Sequence, residues 1–145
     1  MKKLKNKKLK DAILNCKKVW EWLADNPEKR KEDWPGWKNI TAINYCFACD
    51  YARRAENDIE VMCQKCFLLP TWTGGKELMK DFYLYPCETL AVSPYAKWLY
   101  ITQLLDICKN TSGNKPSILL KLLKEKIKCA NDIVTGCNLV LKNLM

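Results

Sequence analysis

The sequence predicts a mainly α-helical single domain, spanning residues 1–145, with a zinc-stabilised insert between an N-terminal helix and two C-terminal helices. Two observations predict this arrangement: apolar residues recur at helical spacing in both flanks, and two Cys-x-x-Cys pairs lie between them. The composition agrees, because 145 residues with 48% hydrophobic and 28% charged side chains suit one folded domain.

The first helix is predicted over residues 8–25. Seven apolar side chains fall within one arc of about 120° at 100° per residue: Leu9, Ala12, Ile13, Cys16, Val19, Trp20 and Leu23. Lys7, Lys10, Lys17 and Lys18 lie on the other side and are candidates for partner binding. The helix should stop at Asn26-Pro27, since a residue before proline avoids the helical region.

Residues 94–145 are predicted to form a helical pair. Ser93-Pro94 is typical of a helix start, with serine as the N-cap and proline in the first helical position. This helix should run to about Lys109, and its apolar residues on more than one face favour a central place in the core. The last helix should start near Ser117, and its broad apolar face could also form a homodimer. The opposite face carries Lys121, Lys124, Lys128 and Lys142.

Residues 45–88 are predicted to bind one structural zinc ion. Cys46 and Cys49 form one pair and Cys63 and Cys66 the other, and two such pairs complete a tetrahedral Cys₄ shell in a knuckle or treble-clef-like fold. Cys87 is an alternative ligand, in a Tyr-Pro-Cys-Glu segment that could turn back onto the site. Between the pairs we expect a short helix over residues 50–56 and a short strand over residues 59–62.

The other four cysteines, Cys16, Cys108, Cys129 and Cys137, lie on apolar helix faces and are interpreted as small core residues. The chain has no histidine, which excludes Ser-His and Cys-His nucleophile pairs and histidine-containing zinc enzymes. A closed Cys₄ shell also leaves no coordination position for water. We therefore expect no enzymatic activity and no catalytic residues.

The positive charge lies in the flanks. Residues 1–32 carry a net charge of +6, residues 33–90 carry −2 and residues 91–145 carry +5, within a formal total of +9. Four thiolates on one Zn²⁺ would take the middle segment to about −4. The zinc segment is therefore a poor candidate for reading nucleic-acid bases, and the lysines are either a phosphate-binding surface or a solvated helix face.

Four tryptophans are candidates for partner binding. Trp22 falls off the apolar face of the first helix. Trp34 and Trp37 belong to a predicted turn, Trp34-Pro35-Gly36-Trp37, and Trp72 lies in a predicted loop. Aromatic side chains are favoured at interface hot spots. The alternative is that these rings cover a core that the helices alone do not close.

The order of several motifs resembles a known group of proteins. The sequence reads Val-Trp-Glu-Trp-Leu-Ala-Asp-Asn-Pro over residues 19–27 and Asp-Trp-Pro over residues 33–35. The two cysteine pairs, Cys87 and Ser-Pro-Tyr-x-Lys-Trp over residues 93–98 follow. Over roughly residues 15–100 this resembles small cysteine-rich, presumed zinc-binding accessory proteins of phages and prophages. Phe67 departs from the proline that the resemblance leads us to expect after Cys66.

The resemblance implies an accessory protein that binds host machinery. The leading hypothesis is a cytoplasmic inhibitor or adaptor of a bacterial host protein, for instance in counter-defence of the anti-CRISPR kind. The alternative hypothesis is a nucleic-acid-binding regulatory protein that uses the lysine-rich flanks. A small-ligand binder is a third possibility for which the sequence locates no pocket. No segment is apolar enough for a membrane span, so no membrane partner is expected.

Overall fold

A computed structural model describes residues 2–40, 45–55, 66–72, 93–109 and 116–144. Four α-helices lie in these ranges: α1 (Lys2–Asp25), α2 (Phe47–Ala55), α3 (Pro94–Lys109) and α4 (Pro116–Leu144). Three short 3₁₀ helices cover Lys31–Asp33, Pro35–Asn39 and Leu69–Thr71. Within the described ranges no residue belongs to a strand, so the mainly α class is confirmed.

Part of the predicted zinc segment lies outside the described residues. The predicted strand over residues 59–62, Cys63 and Cys87 all fall there. The knuckle or treble-clef-like insert therefore stays a prediction. The helix predicted over residues 50–56 is present as α2, but it begins three residues earlier, at Phe47.

Helix α1 ends where it was predicted to end and begins earlier. It starts at Lys2 instead of residue 8. Its apolar face starts only at Leu9, so periodicity could not locate the first turns, which consist mainly of lysine, a good helix former. At the other end the Asn26 side-chain amide donates to the Trp22 carbonyl at 2.8 Å. This bond satisfies one of the carbonyls that the end of a helix leaves free.

Helix α3 has the predicted bounds and the predicted cap. The Ala96 amide donates to the hydroxyl of Ser93 at 3.2 Å, and the Ser93 side chain is fully buried. The prediction that α3 is central in the core is only partly right. Trp98 is buried, but Tyr100 is 50% and Ile107 62% exposed. One side of α3 therefore presents apolar residues to solvent.

The core lies between α1, α3 and α4, because α4 packs along both of the other helices and α2 packs on α1. Helices α1 and α4 are antiparallel. Lys126, in the first half of α4, contacts Lys29, just beyond the end of α1. Cys137, further along α4, contacts Cys16 in the middle of α1. Edge-to-face contacts join Trp20 of α1 to Trp98 of α3, with ring centroids 5.2 Å apart.

The buried cysteines and the exposed lysines of the helices largely follow the prediction. Cys16, Cys129 and Cys137 are buried, whereas Cys108 is half-buried. The four predicted lysines of α4 are exposed: Lys121, Lys124, Lys128 and Lys142. None of the described helices is both long enough and apolar enough to cross a membrane.

Lys126 is a charged residue inside the core. Its side chain is 2% exposed, and its ammonium donates to the Lys29 carbonyl at 3.1 Å and lies 4.5 Å from the centre of the Trp98 ring. Burial, then repulsion by the Lys109 ammonium, lowers the pKa of Lys126 to about 8. The periodicity of α4 gave no sign of this position, because a lysine is read as exposed by default.

Candidate functional site

The loop between α1 and α2 forms two consecutive 3₁₀ turns that hold two tryptophans. The Arg30 amide donates to Asp33 Oδ2 at 2.9 Å, which caps the first turn. The Trp34 amide donates to the Lys31 carbonyl at 3.2 Å, and the same carbonyl accepts a hydrogen bond of 2.7 Å from Trp37 Nε1. The predicted turn at Trp34-Pro35-Gly36-Trp37 is thus present, and its hydrogen bonds fix the indole of Trp37.

Lys31 links this loop to the core, and sequence reasoning missed it. The residue is 5% exposed, its ammonium lies 4.3 Å from the centre of the Tyr95 ring, and it donates to the Tyr95 hydroxyl. In sequence it is one of several charged residues before Trp34, and nothing distinguishes it from its exposed neighbours. Only the tertiary structure shows that its carbonyl and its ammonium face different partners.

Four aromatic rings pack together where this loop meets the start of α2. The ring of Trp37 stacks on that of Phe47, with centroids 4.9 Å apart and an interplanar angle of 19°. Trp34 meets Trp37 edge to face at 5.0 Å, and Tyr45 lies 5.3 Å from Trp37 at an angle of 66°. Such pairs stabilise their arrangement beyond the area they bury.

These rings form one side of an open cleft of about 530 Å³. Trp34, Trp37 and Tyr45 line it, together with the carboxylates of Glu32 and Asp33. Pro35, Lys38 and Ile40 complete the lining. Trp34 and Trp37 are half-buried, so part of each side chain remains accessible although both pack on the core. These tryptophans therefore cover the core and also line a surface cleft, and partner binding through them stays a prediction.

Tyr45 connects the cleft to the first cysteine pair. Its φ of 53° lies in the left-handed region, where non-glycine residues are uncommon. This conformation costs about 1–2 kcal/mol. It turns the chain immediately before Cys46, while the Tyr45 ring stays against Trp37. The strained residue thus lies between the aromatic cleft and the predicted metal ligands.

Cys46 and Cys49, the first predicted cysteine pair, lie at the start of α2. Cys46 caps α2: its carbonyl accepts from the Asp50 amide at 3.0 Å, and its sulfur accepts from the Cys49 amide at 3.4 Å. The pKa of Cys46 is lowered to about 6, mainly by a hydrogen bond from the Cys49 thiol. Burial opposes this shift. The amides of Cys49 and Ala48 and the Lys31 ammonium also lower the pKa. These are conditions that favour a thiolate, the form that binds zinc.

Two further thiols, those of Cys16 and Cys137, are buried in the core. Cys16 and Cys137 hydrogen-bond to each other, and this bond, followed by burial, raises the pKa of Cys16 well above its ordinary value. The charges of Cys46 and Cys66 act in the same direction. Within the described ranges, no group of three or more cysteine or carboxylate side chains is arranged to hold a metal ion. Cys46, Cys49 and Cys66 are half-buried, and the complete ligand set stays a prediction.

The other candidate tryptophans do not belong to the cleft. Trp72 is 7% exposed and part of the hydrophobic core, so its prediction as a partner-binding loop residue is wrong. The reason is that the 3₁₀ helix before it packs against α4, where Gly136 allows Thr71 to approach. Trp22 is half-buried and packs against the core from the side of α1.

The four candidate lysines of α1 lie mainly on the surface. Lys7, Lys10 and Lys18 are exposed and Lys17 is half-buried. Helix α1 carries eight lysines and three acidic residues, a net charge of +5. Helix α4 carries five lysines and two acidic residues, a net charge of +3. Together the two helices have a net charge of +8, and the whole chain has +9. The basic surface therefore belongs to these long helices and not to the aromatic cleft.

Comparison with known proteins gives no match to a family model, to a curated protein or to a solved structure.

Proposed function

We propose that this protein is a non-enzymatic, zinc-stabilised accessory protein of the phage type that binds a bacterial host protein and inhibits or redirects it. Counter-defence, of the anti-CRISPR or a related kind, is the setting that the resemblance implies. The observation that carries the proposal is the cleft lined by Trp34, Trp37 and Tyr45. Exposed aromatic rings held rigidly on a helical scaffold are the usual energetic centre of a protein interface.

The metal has a structural role in this proposal. Cys46 and Cys49, with Cys63 and Cys66, would hold one Zn²⁺, and Cys87 is the alternative fourth ligand. The hydrogen-bonded sulfur of Cys46 at the start of α2 fits a metal-bound thiolate. Bound zinc would hold the backbone beside Tyr45 and thereby keep the aromatic rim of the cleft in place.

Native mass spectrometry tests the zinc site directly. The natural protein should carry one Zn²⁺, Cys46→Ser should lose it, and a chelator should lower the melting temperature of the natural protein. Cys108→Ser is the matched control, since Cys108 is a half-buried thiol on α3 outside the proposed set. A protein that melts at the same temperature with and without chelator, and carries no metal, would contradict this part of the proposal.

Capture from a bacterial host lysate tests partner binding. The tagged natural protein should retain a specific host protein, and Ile40→Lys should abolish retention because Ile40 lies at the rim of the cleft and is exposed. Ile107→Lys is the matched control, since this isoleucine is also exposed but lies on α3. If plausible hosts yield no reproducible partner, or if both variants lose the same partner equally, the cleft is not the docking surface.

The positive charge of α1 and α4 supports a second candidate, a nucleic-acid-binding regulatory protein. Phosphate contacts by lysines on these helices would give binding that is independent of sequence and weakens steeply with salt. Affinity for a random DNA duplex should then fall strongly between about 50 and 200 mM salt. Replacing Lys7, Lys10 and Lys18 by glutamine should reduce both the affinity and its salt dependence. No binding at low salt would eliminate this candidate.

A further inference from the structure

The aromatic cleft differs in charge from the rest of the molecule. Its lining contains two carboxylates, Glu32 and Asp33, and one ammonium, Lys38, whereas the whole chain carries a formal charge of +9. At physiological ionic strength, charges beyond about 8 Å are largely screened. A group in the cleft therefore experiences mainly the local carboxylates and the negative faces of the aromatic rings.

The cations next to the lining, Arg30 and Lys31, are engaged elsewhere, whereas Lys38 in the lining offsets one of the two carboxylates. Arg30 directs its guanidinium to Asp106, with 2.6 Å between Nη2 and Oδ2. Lys31 is buried against Tyr95. The carboxylate of Asp33 is fixed by the hydrogen bond from the Arg30 amide, and Glu32 is exposed beside it. The cleft therefore favours a cation over an anion.

The rings of the cleft are already in position before any ligand binds. Trp37 is held through Nε1 and by stacking on Phe47. The ring of Trp34 lies directly on Gly36, so that a Cβ at that glycine would fall 2.2 Å from the ring. A binding site that needs no rearrangement loses less affinity to ordering.

We propose that this cleft binds an arginine side chain of a protein partner, with the guanidinium against the indole faces and the carboxylates of Glu32 and Asp33. A guanidinium is planar, stacks on aromatic rings and matches a carboxylate in fork geometry, which an ammonium does less well. The aliphatic part of the side chain would lie against the exposed rim residues Ile40 and Tyr45. A cleft of about 530 Å³ has room for the arginine and its neighbours in a peptide. The inference rests on the proposed function, because it names what that docking surface recognises.

Titration with three short peptides tests the inference. The probes are acetyl-Gly-Arg-Gly-amide, the citrulline peptide, which has nearly the same shape without the charge, and the lysine peptide. Indole N–H signals in ¹H–¹⁵N NMR spectra report the site. The arginine peptide should shift the Trp34 and Trp37 signals and leave the buried Trp98 signal unchanged. The citrulline peptide should bind at least about fivefold more weakly, with the lysine peptide between them.

A matched pair of variants separates the local carboxylate from general electrostatics. Glu32→Gln should weaken binding of the arginine peptide about threefold or more, whereas Glu28→Gln, an exposed carboxylate outside the cleft, should not change it. Equal affinities for arginine and citrulline, or equal effects of the two variants, would overturn the inference. If Ile40→Lys still abolishes partner capture in that case, the proposed function stands. Selective arginine binding without any captured partner would refute the proposed function alone.

Discussion

Replacing Lys126 by methionine should remove a pH dependence of stability that this buried lysine contributes. The pKa of Lys126 is about 8 in the folded protein, against an ordinary value of 10.5. Burial is the main cause. Lys109 and Arg30 act in the same direction, and Asp106 and Glu28 oppose them. Methionine keeps most of the length of the side chain and removes the charge.

The sign follows from proton binding. Between pH 8 and 10.5 the lysine keeps its proton in the unfolded chain and loses it in the fold, so the free energy of unfolding rises with pH. Each unit by which the pKa is lowered costs the folded protein about 1.4 kcal/mol of unfolding free energy at low pH, so the whole shift corresponds to about 3 kcal/mol. About 2 kcal/mol of this is regained between pH 7 and 9.5. Below pH 7 the cost of burying the ammonium is constant.

Urea unfolding of the natural protein and of Lys126→Met, followed by circular dichroism in reducing buffer, measures this difference. The stability of the natural protein relative to the variant should rise by about 2 kcal/mol from pH 7 to 9.5. Lys124→Met is the control, since Lys124 is exposed on the same helix and its variant should follow the natural protein. If the free energy of unfolding changes with pH in the same way for the natural protein and for Lys126→Met, the reasoning is refuted.

Substitutions at three further positions test local features of the fold. Ser93→Ala should lower the free energy of unfolding by about 1–2 kcal/mol, because the buried Ala96 amide loses its hydrogen-bond acceptor. Urea unfolding measures this change, and a loss below about 0.3 kcal/mol would contradict it. The Tyr45→Gly variant should be about 1 kcal/mol more stable than the Tyr45→Ala variant, because only glycine adopts a φ of 53° at no cost. Equal melting temperatures of the two variants would argue against the left-handed turn. Gly36→Ala should displace the ring of Trp34 and lower stability by about 1–3 kcal/mol; an unchanged Trp34 indole signal in NMR spectra would count against the close approach.

The helical framework could be predicted from sequence because its signals are local. The cap of α3 is encoded by Ser93-Pro94, and the end of α1 by Asn26-Pro27. Where no capping residue marks the start of a helix, the predicted start was less accurate. The first turns of α1 have no apolar periodicity, and α2 begins at the cysteine pair because Cys46 itself supplies the cap.

The candidate site could be predicted only in part. Trp34 and Trp37 were identified as aromatic residues in a turn, but a sequence does not show that they line one cleft with Tyr45 and two carboxylates. The buried position of Lys31 and the contact between Cys16 and Cys137 depend on which elements become neighbours, and no local pattern encodes this. For Trp72 the sequence left open whether the ring binds a partner or covers the core, and burial of the ring favours the core.

The antiparallel packing of α1 on α4 determines when the core can form during synthesis. The bond between Lys126 and Lys29 joins residues 97 positions apart, and the contact of Cys16 with Cys137 spans even more of the chain. Long-range contacts slow folding, because a large loop must close before they stabilise anything. The apolar side of α1 thus leaves the ribosome long before α4 exists to cover it. During that interval the nascent protein presents a basic amphipathic helix, and we expect it to need a chaperone or rapid completion of α4 to avoid association with other chains.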